Sequence, residues 1–128
     1  MNIYIKIEVK NRELEARLLL ALAAAERGHV VLLGPKSLTI DSVMKDQLNP
    51  GIIHDKSITP GKPRIRELQL YKEKGFLFTS IDEEGGIINK DYTSFAKVRF
   101  SNQTLDLATR NFSWGKFDRD GINNNFPG

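Results

Sequence analysis

Apolar and polar residues alternate over Asn2–Val9. Ile3, Ile5, Ile7 and Val9 share one face, which is the two-residue period of a half-buried strand. The period then changes. From Arg12 to Arg27 the positions Leu14, Leu18, Leu22 and Ala25 recur at helical spacing, and Leu19, Leu20, Ala21, Ala23 and Ala24 widen the stripe. A helix apolar over so much of its circumference is expected to lie against a sheet. Asn11 is placed to cap it, Glu13 and Glu15 suit the positive end of its dipole, and Gly28 is the expected left-handed terminator. Val30–Gly34 is apolar throughout, as a central parallel strand is. The opening of the chain therefore reads as one right-handed βαβ unit.

The alternation of strand and helix continues. Ser37–Leu48 carries Leu38, Ile40, Val43, Met44 and Leu48 and predicts a short helix, ended by Asn49-Pro50-Gly51. Ile52–His54 is a third strand running into Asp55-Lys56-Ser57, and Thr59–Pro63 is an irregular loop. Ile65, Leu68 and Tyr71 place a helix over Arg64–Lys74, and Gly75 closes it. Phe76–Ile81 is a fourth strand, short and rich in β-formers. Ile87–Phe100 has apolar and aromatic groups without a clean period and reads as a loop with a short helix. Ser101 is placed to cap a helix over Asn102–Thr109, and Asn111–Gly115 is a fifth strand and turn. Residues Phe117–Ile122 begin like a further helix, after which Asn123–Gly128 reads as the start of a linker. The expected architecture is an α/β, Rossmann-like three-layer domain over residues 1–122, with a mainly parallel sheet of about five strands.

Composition narrows the function classes. Of the 128 residues 40% are hydrophobic and 27% charged, so one ordinary globular core is expected. Net charge is +3, with ten Lys/Arg against seven Asp/Glu in residues 1–64 and nine of each in residues 65–128. Without a basic run this balance does not point to nucleic acid, although it is compatible with an anionic membrane surface. No cysteine is present, which excludes disulfides and thiolate metal sites, and His29 and His54 are isolated from metal-ligand spacing. No apolar run approaches bilayer length, and no signal peptide precedes the first strand. The expected location is cytoplasmic, with peripheral association at the inner face of the cytoplasmic membrane as an option.

The densest candidate chemistry is Asp82-Glu83-Glu84-Gly85-Gly86, directly after the fourth strand. In open α/β sheets ligands gather beyond the carboxyl ends of strands. Successive residues alternate in direction, so at most two of the three acids share a pocket, where mutual repulsion favours a useful base. Lys10, Asn11, Arg12 and Glu13 follow the first strand on the same edge, where a helix start flanked by Lys10 and Arg12 suits an anion or sugar hydroxyls. Lys56 and Ser57 end the third strand there, and Trp114 ends the fifth. Each has a plainer reading: a solvated acidic turn, an ordinary cap, a surface lysine, a core tryptophan. His54 reads more readily as a satisfied strand-end histidine than as a catalyst. Convergence of four strand ends on one rim is what raises the set. The first turn, Glu8–Arg12, lacks the dinucleotide-binding glycines, and neither a P-loop nor the acidic pair of a phosphoacceptor domain is present.

Ile7–Ala21, Ala25–His29, Asp55-Lys56-Ser57, Asp82–Gly85 and Phe112–Phe117, in that order, resemble the bacterial surface carbohydrate biosynthesis protein family. The resemblance implies the N-terminal, acceptor-side half of a GT-B glycosyltransferase acting on lipopolysaccharide or capsule precursors. A second domain would hold the nucleotide-sugar, and no metal or other cofactor is implied. It would make Glu83 or Glu84 the carboxylate catalyst, with Asp82 orienting the turn. Lys10, Arg12 and Lys56 would hold anionic groups, with Asn11, Glu13, Ser57 and Gly85 beside them, and Trp114 would line the cleft facing the carbohydrate acceptor. A non-catalytic Rossmann-like binding module and half of a sugar-nucleotide epimerase are the alternative readings.

Overall fold

A computed structural model describes residues 1–83 and 92–127. In chain order its elements are β1 (Asn2–Ile7), α1 (Lys10–Glu26), β2 (Val30–Pro35), α2 (Lys36–Met44), β3 (Ile52–Asp55) and α3 (Lys62–Glu73). They continue with β4 (Leu77–Ile81), α4 (Tyr92–Arg99), α5 (Asn102–Leu107), β5 (Arg110–Phe112) and α6 (Lys116–Asn125). All five strands join one parallel sheet in the order β2-β1-β3-β4-β5, the α/β, Rossmann-like layout that the alternation of periods predicts. The order reverses between β1 and β3. The chain leaves β1 toward β2 on one side and leaves β3 toward β4 on the other, which opens a crevice above their carboxyl ends.

Register decides which side chains share a face. Tyr4 pairs with Ile53, and Ile53 with Phe78, so these three point to one side of the sheet. They form a buried cluster with Val43 of α2, Leu68 and Tyr71 of α3, Ala96 of α4 and Ile122 of α6, while Leu105 and Leu107 of α5 pack on its margin. Tyr71 stacks on Phe78 at 5.9 Å between ring centroids. Each fully buried side chain here contributes about 1.5–3 kcal/mol. α1 lies on the opposite face, against β1 and β2.

Several local expectations change. The first strand stops at Ile7, and α1 opens at Lys10 with Val9, not Asn11, in the cap position. Asn11 lies inside the first turn. The capping is done by Glu13, whose Oε2 accepts from Glu8 N–H at 2.9 Å and from Val9 N–H. These two bonds set the rotation of the helix. Glu13, Arg17 and Ala21 face inward, whereas Leu18, Leu19 and Leu22, on which the inward stripe was predicted, are exposed, Leu19 by 70%. Helical spacing specifies a stripe but not which stripe meets the sheet, because α1 is apolar nearly all round. β2 is not central either. It is an edge strand, and Val30 and Leu32 are exposed.

Elsewhere the boundaries shift modestly. α2 is shorter than predicted, α3 starts at Lys62, and β5 covers only Arg110–Phe112. α6 runs to Asn125, into the stretch expected to be linker. Gly28 closes α1 with φ 85°, and Ser101 caps α5 by accepting from Thr104 N–H at 3.1 Å, both as predicted. Gly51 has a role that spacing does not show. A Cβ there would lie 2.2 Å from the Asn2 carbonyl oxygen, so glycine is what lets β3 start beside β1. Gly51→Ala should cost about 1–3 kcal/mol. Urea unfolding would read this as a lower midpoint at unchanged slope, and an unshifted midpoint would show that the two strands separate there easily.

Candidate functional site

The crevice above β1 and β3 is lined by residues from three strand ends. β1 runs into Glu8, and α1 begins beside it with Arg12 and Glu13. β3 ends at Asp55 and delivers Lys56. β4 ends at Ile81 and delivers Asp82 and Glu83. Lys56 is the hub. Its Nζ lies 3.2 Å from Glu83 Oε1, 3.4 Å from Glu8 Oε2 and 3.7 Å from Glu13 Oε1. Arg12 Nη2 reaches the same Glu83 oxygen at 3.7 Å. The turn is pinned to β3 through its backbone, since Glu83 N–H donates to Lys56 C=O at 3.1 Å. Glu83 thus turns toward the ends of β1 and β3 rather than away from them.

The electrostatics follow from this crowding. Burial works against the Lys56 ammonium, but its hydrogen bond to Glu83 and the charges of Glu13, Glu8 and Glu83 outweigh burial and raise its pKa. Lys56 is a fixed cation among three carboxylates. Glu13 Oε1 is buried and has no hydrogen-bond partner among the described residues, so one acceptor beside Lys56 is unused.

Asp82 has a different environment from Glu83. It is buried, and Arg99 grips it with two bonds, Nε to Oδ2 at 2.9 Å and Nη2 to Oδ1 at 2.8 Å. A bidentate guanidinium clamp holds a carboxylate in place and engages both of its oxygens. That geometry suits the turn-orienting part expected of Asp82. Trp114 follows β5, and its indole Nε1–H donates to the Asp82 carbonyl at 2.6 Å. The ring is 56% exposed, so the reading of Trp114 as a core residue is overturned. Asp118 at the start of α6 fixes the approach by accepting from Trp114 N–H at 3.1 Å and from the Tyr92 hydroxyl. Burial first, then the Asp118 bond and charge, push the Tyr92 phenol well above its ordinary pKa.

Of the residues singled out in the sequence, Arg12, Glu13, Lys56, Asp82, Glu83 and Trp114 therefore belong to one connected rim. Lys10 and Asn11 are exposed on the first turn of α1, and their side chains make no hydrogen bond or ion pair among the described residues. Ser57 is half-buried beside Lys56. Glu84 and Gly85 lie outside the described residues. Among the described residues no group of three His, Cys, Asp or Glu is arranged to hold a metal ion.

Beneath the rim lies a buried charge network that sequence reading missed. Lys6 is 1% exposed, and its Nζ lies 3.0 Å from Asp55 Oδ2, within bonding reach of Glu67, and 3.2 Å from the Tyr71 hydroxyl, to which it donates. Arg64 Nη1 bridges Asp55 at 2.8 Å and Glu67 at 3.1 Å. Burial opposes ionisation of Asp55, but Lys6 and Arg64 overcome it and hold its pKa at about 2. Burial, then the charge and hydrogen bond of Glu67, push the Tyr71 phenol far above its ordinary value, so it remains a donor to Glu67 at 2.7 Å. Asp55 Oδ1 also accepts from Lys56 N–H at 2.8 Å, which ties the network to the hub above it. The signal available in sequence was Lys6 on the predicted apolar strand, in the same register as Tyr4.

Comparison with known proteins finds no matching family model, no matching curated protein and no matching solved structure. Among the described residues no helix is long and apolar enough to cross a membrane.

Proposed function

We propose that this chain is the acceptor-side half of a glycosyltransferase acting on a surface-polysaccharide or lipopolysaccharide precursor, with a second domain supplying the nucleotide-sugar. The observation that carries the reading is the link between Trp114 and the acidic turn. The indole is anchored by its N–H to the carbonyl of Asp82, the residue before Glu83, and Trp114 stays 56% exposed. A sugar ring stacks its apolar face on such an indole while its hydroxyls reach the neighbouring charged groups. Glu83 then accepts the proton of the acceptor hydroxyl as that oxygen attacks the anomeric carbon, and the nucleotide leaves with the bonding pair. Lys56 orients Glu83 and can turn to Glu13 Oε1, 3.7 Å away, when Glu83 takes up a proton. Arg12, 62% exposed, is placed for an anionic group of acceptor or donor.

A non-catalytic carbohydrate-binding module is the rival. The ion pairing of Glu83 with Lys56 favours it, because the carboxylate oxygen that would receive the proton is already engaged. Two measurements separate the readings. In saturation-transfer NMR with bacterial surface oligosaccharides, this chain should bind through Trp114, and Trp114→Ala should abolish the signal; a chain that binds no carbohydrate overturns both readings. In protein carrying both domains, Glu83→Gln should lower transfer about 10²-fold with binding retained. Unchanged transfer leaves the binding module.

A further inference from the structure

Among the described residues, only half of the sheet face that carries α1 is covered. α1 lies over β1 and β2, while the other five helices all contribute to the cluster on the opposite face. Beyond α1, over β3, β4 and β5, runs an open groove of about 530 Å³ walled by Leu20, Ile52, Ile81 and Phe112. Parallel sheets are stable with both faces covered, so this groove calls for an apolar occupant. Its floor calls for an acidic one. Arg17 is 9% exposed, and its side chain has no hydrogen bond or ion pair among the described residues. Nε2 of His54 beside it is buried without a hydrogen-bond partner among the described residues. A guanidinium in an apolar groove, with no counter-charge among the described residues, is a strong attractor for a carboxylate.

The same chain presents such an element. On the outer side of α1, Glu15, Leu18, Leu19 and Leu22 recur at i, i+3, i+4 and i+7, and the three leucines are 45%, 70% and 55% exposed. This is an apolar ridge led by an acid, uncovered among the described residues. Ridge and groove also match in length. The groove follows α1 from Ala16 to Ala24, roughly 12 Å, and the ridge spans Glu15 to Leu22, roughly 10 Å.

We infer that two copies of this chain associate about a two-fold axis, each seating the outer face of its α1 in the other's groove, with Glu15 facing Arg17. An axis parallel to the helices places both α1 helices side by side in one layer between the two sheets. Each helix then covers its own β1 and β2 below and the partner's β3–β5 above. The contact is isologous and closes at the dimer. The four ridge and groove surfaces are buried in one step, and each Arg17 gains a carboxylate.

Sedimentation velocity over a range of concentrations tests this. The chain should be a dimer with Kd in the micromolar range. Leu19→Glu and Leu22→Glu on the ridge, and Phe112→Glu and Leu20→Glu on the groove wall, should each weaken it by about 100-fold or more. Glu15→Arg should weaken it by about tenfold. All five side chains are solvent-exposed in the single chain, so the variants should retain the parent circular dichroism, and the two groove variants stand in for each other if one fails to fold. A chain that stays monomeric to the limit of its solubility overturns the inference. So does a dimer indifferent to Leu22→Glu, or one lost with the ridge variants but indifferent to both groove variants, which would pair ridge with ridge.

Discussion

Lys6→Met should destabilise the protein by about 3–5 kcal/mol, the cost of leaving a buried charge without its partner. Lys6, Arg64, Asp55 and Glu67 form a balanced set of two cations and two carboxylates in the interior. Methionine preserves the length of the side chain but leaves two carboxylates to one guanidinium, under a sheet where water is excluded. Tyr71 also loses the ammonium lying 5.3 Å from its ring centroid. The diagnostic experiment pairs two substitutions. If the loss comes from charge imbalance, Lys6→Met with Glu67→Gln should recover most of the urea midpoint, since the remaining Asp55–Arg64 pair is again neutral. A Lys6→Met protein within about 0.5 kcal/mol of the parent would show that the network carries little stability.

Acidification should remove stability in two separate windows. His54 is buried, with Nδ1 2.9 Å from Thr79 Oγ1. Burial first and then the charge of Arg17 depress its pKa from 6.5 to about 4, against a smaller opposing effect of Asp55. The unfolded chain therefore takes up a proton at a pH where the folded chain does not. Stability is fully present above pH 6.5 and falls until about pH 4, by about 3 kcal/mol in all. Asp55 adds a second loss as the pH falls from 3.8 toward about 2. That loss is about 2 kcal/mol, because the unfolded carboxyl is protonated before the folded one is. His54→Asn keeps a polar partner for Thr79 and has no ionisable group. Its stability should be flat through the upper window and parallel to the parent in the lower one. A variant whose stability falls just as steeply between pH 6.5 and pH 4 would place the upper transition on another group.

The inferred dimer bears on the same histidine. Arg17 is the charge that helps keep His54 neutral, and a carboxylate brought to Arg17 by a second copy weakens that effect. The upper acid window should therefore be steeper in the monomeric Leu22→Glu protein than in the parent at high concentration.

How far the site was legible follows from which contacts are local. The acidic turn could be placed because β4 and its turn are adjacent in sequence, and a strand ending in charges marks an edge. The joining of Arg12, Lys56 and Glu83 depended on β1, β3 and β4 being neighbours, which the strand order supplies. The clamp of Arg99 on Asp82 spans 17 residues and had no sequence signal. Taken alone, Trp114 reads as core, because an isolated tryptophan is more often buried than open, and only its place on the rim argued otherwise. Its exposure follows from a short β5 that ends before it and from Asp118, which holds the turn outside the sheet.

What the sequence determined by itself was the class of the fold. A two-residue period giving way to a helical one, repeated along the chain and punctuated by Gly28, Gly75 and Ser101, allows little besides an α/β sheet of parallel strands. These signals are carried by residues within one turn or one strand of each other. The tertiary structure decided the strand order, the phase of α1, the edge position of β2 and the burial of Lys6. Each depends on partners far along the chain. α1 shows why: a helix apolar on nearly every side can satisfy the hydrophobic effect in several orientations, and the two bonds that the Glu8 and Val9 amides donate to Glu13 select the orientation that leaves Leu18, Leu19 and Leu22 outside.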